Sequence, residues 1–141
     1  MRALKTGLLV GIFLVPFVAP TQVGWTQASR PLQNRIPKPD PKKYDSVQDA
    51  KHWKNPYLIV RPDGIEIIGT TPVGGAITVE SVPGVLVSLP DSAWPYGLVV
   101  AVQDIGILSA KTDQVRIEAN RIKLLNLLKK LGIAVDRWPS A

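Results

Sequence analysis

Residues 98–105, LVVAVQDI, leave the chain little architectural choice. The run is short, nearly continuous in apolar character and rich in β-branched side chains. Such a segment reads as a strand covered on both faces, and so as the central strand of a sheet. Downstream, after GILSAKT, the apolar period changes. Ile117, Leu124, Leu128 and Leu131, with Leu127 beside them, mark one face of a helix that begins near Thr112 or Asp113 and ends at Gly132. Lys129 and Lys130 fall in its last turn, where positive charge complements the helix dipole, and Gly132 suits the left-handed residue that closes a helix. IAVDRW, at 133–138, is expected to be a last strand.

The upstream half of the fold is marked by turn chemistry. YLIVRPDGIEIIG holds two strand-forming runs around Pro62-Asp63-Gly64, which predicts a hairpin of strands 57–61 and 65–69. TTPVGGA is a loop. TVESVPGVLVSLP fits two structures. Val82, Leu86 and Leu89 have helical spacing, with Thr78 as a cap, while Pro83-Gly84 also suits a type II turn between two strands. A short helix over 79–89 is the expected one, because a proline in the first turn removes an amide that has no partner anyway. DSAWPYG is then a turn leading into the central strand. The order β-β-α-β-α-β predicts a small two-layer α+β domain over 57–141, with one mixed sheet and two helices on one face. About 85 residues can bury one modest core of this kind.

The start of the chain reads as an address. Arg2 and Lys5 precede the uncharged, mostly apolar run Gly7–Pro20, and Thr26-Gln27-Ala28 supplies small residues for a signal peptidase. Residues 1–28 are therefore expected to be a signal peptide cleaved after Ala28. The alternative is a retained anchor, although a spanning helix needs about 20 apolar residues and Pro16 interrupts a shorter run. Both readings place the domain outside the cytoplasm, secreted or periplasmic in the first case and membrane-anchored in the second. Residues 29–56 carry Pro31, Pro37, Pro39, Pro41 and Pro56 and few apolar side chains, which predicts an exposed Pro/Lys-rich linker with a helical turn near Ser46–Lys54.

Charge and residue inventory exclude several functions. The net charge is +6, but residues 57–141 hold eight Lys/Arg and eight Asp/Glu, and the excess lies in 1–56. A basic tail on a neutral domain does not suit a phosphate backbone, so nucleic acid is not an expected partner. Without cysteine there is no disulfide, thiolate catalysis or Cys-ligated zinc, and with one histidine, His52, there is no multi-histidine metal site. His52 is expected to be a solvated side chain. No phosphate loop, HExxH or nucleophile elbow occurs, and Gly74-Gly75 alone makes no phosphate cradle. No metal or cofactor is expected.

In LIVRPDGIEIIG, in the 98–107 strand and in the long helix closing with KKLGIAV, the chain resembles the periplasmic domain of the ExbD/TolR family of energy-coupling accessory proteins. The resemblance is one of layout and covers all but the tail. It implies a basic N-terminus, one membrane helix, a linker and a small ββαβαβ domain. The family's membrane helix is built around an intramembrane carboxylate, and Gly7–Trp25 contains no acid, so proton coupling is not implied. No functional residue transfers.

The candidate binding residues are Trp94, Tyr96, Gln103, Asp104, Arg121 and Trp138. In one reading, aromatics and polar groups at opposite ends of the central strand rim a groove. In the other, the Trp94-Pro95 and Trp138-Pro139 corners pack against the sheet, and Asp104 marks the strand's exit from the core. Arg121 is expected to pair internally with Glu118 or Asp104 rather than grip a ligand. Asp91 and Asp104 are the candidates for a carboxylate-dependent hydrolase. Three functions are carried forward: an exported, non-enzymatic domain that binds a protein or cell-envelope component; a membrane-tethered accessory subunit of the ExbD/TolR type; and that hydrolase.

Overall fold

The computed structural model describes residues 31–69, 75–106 and 110–140. The expected signal peptide or anchor and most of the TTPVGGA loop lie outside them. The elements are helix α1 (Leu32–Arg35), strands β1 (Tyr57–Arg61) and β2 (Gly64–Ile68), helix α2 (Val82–Ser88), strand β3 (Val99–Asp104), helix α3 (Lys111–Lys130) and strand β4 (Ala134–Trp138). Short 3-10 turns occupy Pro41–Lys43, Val79–Ser81 and Asp91–Ala93. The sheet order is β2-β1-β3-β4, with β1 antiparallel to β2 and parallel to β3, and β3 parallel to β4. This is the mixed four-stranded α+β sheet that the sequence pattern implies, and β3 lies inside it.

Local chemistry explains the elements. Pro62 and Asp63 form the two-residue connection of the hairpin, since Arg61 pairs with Gly64. A side chain at Gly64 would strike the carbonyl of Ile77, which bridges Ile65 through two hydrogen bonds of 2.8 Å. The ambiguous 78–89 stretch is helical, as a 3-10 turn continuing into α2. Thr78 does not cap it, because its hydroxyl bonds that of Ser81 at 2.8 Å. Helix α3 buries Ile117, Leu124 and Leu128 and ends as the sequence indicates, with Gly132 at φ 73°.

The alternating side chains of the sheet make two cores. Leu58, Val60, Ile65, Ile67, Val100 and Val102 face α2 and α3, which both lie on this side, together with Val82, Leu86, Ile117, Leu124 and Leu128. Tyr57, Val99, Ala101 and Trp138 face the other way, where Trp53, Tyr96 and Tyr44 cover them. All four valine and alanine positions of 99–102 are buried.

That second cover corrects the expectation of an exposed linker over 29–56. Leu32 and Ile36 are buried in the helix-side core, and Trp53 and Asn55 are buried on the opposite side. The segment 31–56 is a strap that wraps the sheet. Its backbone bonds the main chain, Asp40 N–H to Tyr96 O at 3.0 Å and Leu98 N–H to Pro37 O at 2.9 Å. Gly97, at φ 89°, lets the strap pass, since a Cβ there would strike the carbonyl of Lys38. The side chains of the strap finish α3 and α2. Gln33 donates to Leu131 O at 2.9 Å, and Arg35 donates to Val87 O and Leu89 O at 3.1 and 3.3 Å. These carbonyls close α3 and α2, where a helix leaves acceptors unpaired. Within 46–54, Trp53 N–H bonds Asp49 O at 3.1 Å, the i→i−4 spacing of one helical turn, and the turn is not continued into a helix.

Candidate functional site

The end of β3 sorts its two polar residues by strand alternation. Gln103 points to the aromatic side, where it accepts a hydrogen bond from the Tyr57 hydroxyl and donates to Pro139 O at 2.8 Å. Asp104 points to the helix side. There Arg121 donates from Nη1 to Asp104 Oδ2 at 2.7 Å, and the same guanidinium lies 3.5 Å from Glu118. The Asp104 side chain is 10% exposed, yet its Oδ1 has no hydrogen-bond partner among the described residues. Helix α3 is held in place over this point because Asn120 donates to Arg61 O and Pro62 O at 2.8 and 3.3 Å, fastening the helix to the hairpin turn.

Beside Asp104 opens a cleft of about 310 Å³, lined by Ile105, Gly106, Gln114, Ile117, Glu118 and Arg121, with Ser140 at its edge. It sits where the parallel strands β1, β3 and β4 end, the usual position for ligands in sheets with parallel strands. A buried carboxylate oxygen without a donor is costly, and a ligand N–H or O–H would relieve that cost. Arg121 holds the carboxylate in position. The cleft is therefore suited to take a hydrogen-bond donor against a fixed, partly buried acceptor.

The six candidate residues do not rim one groove, which corrects that reading. Trp94 is buried on the helix side, its indole N–H without a partner among the described residues. Tyr96 is buried on the opposite side, its hydroxyl donating to His52 O at 3.1 Å. Trp138 packs there at a tilt against Tyr57 and edge-on against Trp53, ring centroids 5.0 and 5.5 Å apart, and donates to Asp136 at 3.1 Å. Of the six, only Asp104 and Arg121 meet in the cleft, through the internal pairing the sequence suggests. The spacing 114, 118, 121 follows a helix face and could have placed Gln114 and Glu118 beside Arg121. Nothing in the sequence marks Ser140.

The other candidates separate. Asp91 is 3.5 Å from Arg35 near the end of α2, so Asp91 and Asp104 belong to different ion pairs and do not form a facing acid pair. His52 is 68% exposed and contacts Asp49 at 2.8 Å. That hydrogen bond holds the Asp49 carboxyl below the usual carboxylate range. Among the described residues no group of three or more His, Cys, Asp or Glu could hold a metal ion, and no helix is long and apolar enough to cross a membrane.

The fold and cleft define a small α+β domain with a ligand-sized opening at the ends of its parallel strands. No family model matches the chain, and neither a curated protein nor a solved structure gives a match.

Proposed function

We propose that the chain is an exported, non-enzymatic domain that binds a protein or cell-envelope component, and that the cleft at the end of β3 is where it binds. The observation that carries this reading is Asp104. One oxygen is fixed by Arg121, and the other is buried beside an open cleft with no donor to it among the described residues. The favoured ligand is a group presenting an N–H or O–H donor, such as a backbone amide, an amine or a sugar hydroxyl. Export rests on Arg2, Lys5, the apolar run Gly7–Pro20 and the small residues before Ser29. The test is affinity capture from cell-envelope extract by the full chain and by Asp104→Ala, with circular dichroism to establish that the variant folds. Binding through the cleft requires a component that wild type retains and the folded variant loses. Identical capture by both refutes it.

A tethered accessory subunit of the ExbD/TolR type remains the second reading, favoured by the apolar run and by the β-β-α-β-α-β order. Intact-mass measurement separates the two. A mature chain starting at Ser29 has lost its tether, and a full-length chain keeps it.

A further inference from the structure

Helix α3 has two apolar faces, and the sheet uses one. Ile117, Leu124 and Leu128 are buried against it. On the opposite side Val115 is 65% exposed and Ile122 52% exposed, with exposed Ala119 between them. The spacing 115, 119, 122 aligns these three on one stripe. Isolated exposed aliphatics are ordinary, but this stripe has a charged border. Arg116, Lys123 and Lys130, seven residues apart, run along one side, and Lys111 and Lys129 lie on the other. All five are exposed, and none makes an ion pair among the described residues. Of the eight cations in 57–141, six lie on α3, against only Asp113 and Glu118, and Arg121 draws Glu118 toward the cleft. The neutral average of this region conceals a polarised surface.

We propose that this outward face of α3 docks on a membrane surface rich in anionic lipid, with Val115 and Ile122 entering the headgroup boundary and the bordering cations set against the lipid phosphates. Charge complementarity and shape both argue for this occupant. The face is the convex side of one helix about 30 Å long, a shape that meets a flat surface along its length. Long lysine and arginine stems lie along an apolar boundary while their heads reach phosphate. Aliphatic rather than aromatic residues between the cations favour acyl chains over stacked bases. Glu80, which lines a shallow hollow with Lys123 and Lys130, is the neighbouring group that opposes the attraction. The inference is independent of what the β3 cleft binds.

The cysteine-free sequence makes the test direct. The full chain with Ile122→Cys, or with Val115→Cys if the first does not fold, carries an environment-sensitive fluorophore. Asp45→Cys, on the strap at the opposite side of the sheet, is the control. Each is titrated with phosphatidylcholine vesicles, with and without phosphatidylglycerol, at low and high salt. The label on α3 should shift to the blue on anionic vesicles, stay unshifted on neutral ones and revert in salt. Each cation near such a surface contributes roughly fivefold to partitioning, so adding Lys123→Glu and Lys130→Glu should weaken binding by about 20-fold or more. The proposal is overturned by no shift on anionic vesicles, by an equal shift on neutral vesicles, which would trace to the N-terminal apolar segment, or by an equal shift at position 45.

Discussion

The two faces of the sheet are sealed by different means. On one face, aliphatic side chains from β1, β2 and β3 meet aliphatic side chains from two helices, whose interior backbone bonds within each helix and whose last carbonyls take donors from Gln33 and Arg35. On the other, a cluster of Tyr44, Trp53, Tyr57, Tyr96 and Trp138 lies under irregular chain. Irregular chain cannot satisfy its own amides and carbonyls, so it must find partners elsewhere. Asn55 supplies several at once. Its side chain donates to Gly97 O and Val99 O, both at 2.7 Å, and accepts from Tyr96 N–H at 2.8 Å. The helix face should therefore be sensitive to lost volume, and the strap face to the loss of one polar side chain.

The largest expected effect belongs to the helix face. Leu128→Ala opens a cavity at a fully buried site between α3 and the sheet and should cost about 4 kcal/mol by urea denaturation. The near-ultraviolet signal of the aromatic cluster should persist in the folded variant. Asn55→Ala removes no comparable apolar volume, yet it removes three hydrogen bonds to main-chain groups of 96–99. It should cost about 3 kcal/mol by the same measurement, and a cost below 1 kcal/mol would break the distinction between the faces.

A smaller effect follows from pH and touches the strap face alone. The Tyr57 hydroxyl is raised from its ordinary value of 10.0 by burial and by the nearby negative charge of Glu66. Tyr44 is raised by burial, with Asp136 adding to it. A phenol whose folded pKa exceeds its unfolded value binds its proton more tightly in the folded state. Its stabilising contribution is intact below pH 10 and is lost as pH rises through the folded value. Ultraviolet titration should show two tyrosines ionising late, and Tyr57→Phe should remove one and flatten the alkaline loss of stability. Unchanged alkaline behaviour in that variant would mean that Tyr57 is not buried as described.

The same contrast explains what could be read from residues alone. The continuous run at 98–105 and the spacing of Ile117, Leu124 and Leu128 are local patterns, and they mark β3 and α3 within a residue or two. The strap has no such pattern. Leu32, Ile36 and Trp53 are sparse and aperiodic, and five prolines give their segment the composition of a solvated linker. What orders it lies far along the chain: Arg35 reaches Val87 and Leu89, and Asn55 reaches Gly97 and Val99. The Asp104–Arg121 pair was legible as one of two internal pairings. The cleft around it was not, because Gly106, Ser140 and the second Asp104 oxygen take their meaning only from packing. Net charge misled for a related reason, since summing 57–141 hides that α3 holds most of its cations.

Residues 31–56 are part of the folded domain. Hydrogen–deuterium exchange on the full chain tests this most directly, through the amides of Asp40 and Trp53 on the strap, Leu98 beneath it and Ala101 in β3, each of which donates a main-chain hydrogen bond. The strap amides should exchange slowly, in step with Leu98 and Ala101. Exchange at Asp40 and Trp53 as fast as in an unstructured peptide, with Ala101 still protected, would contradict it.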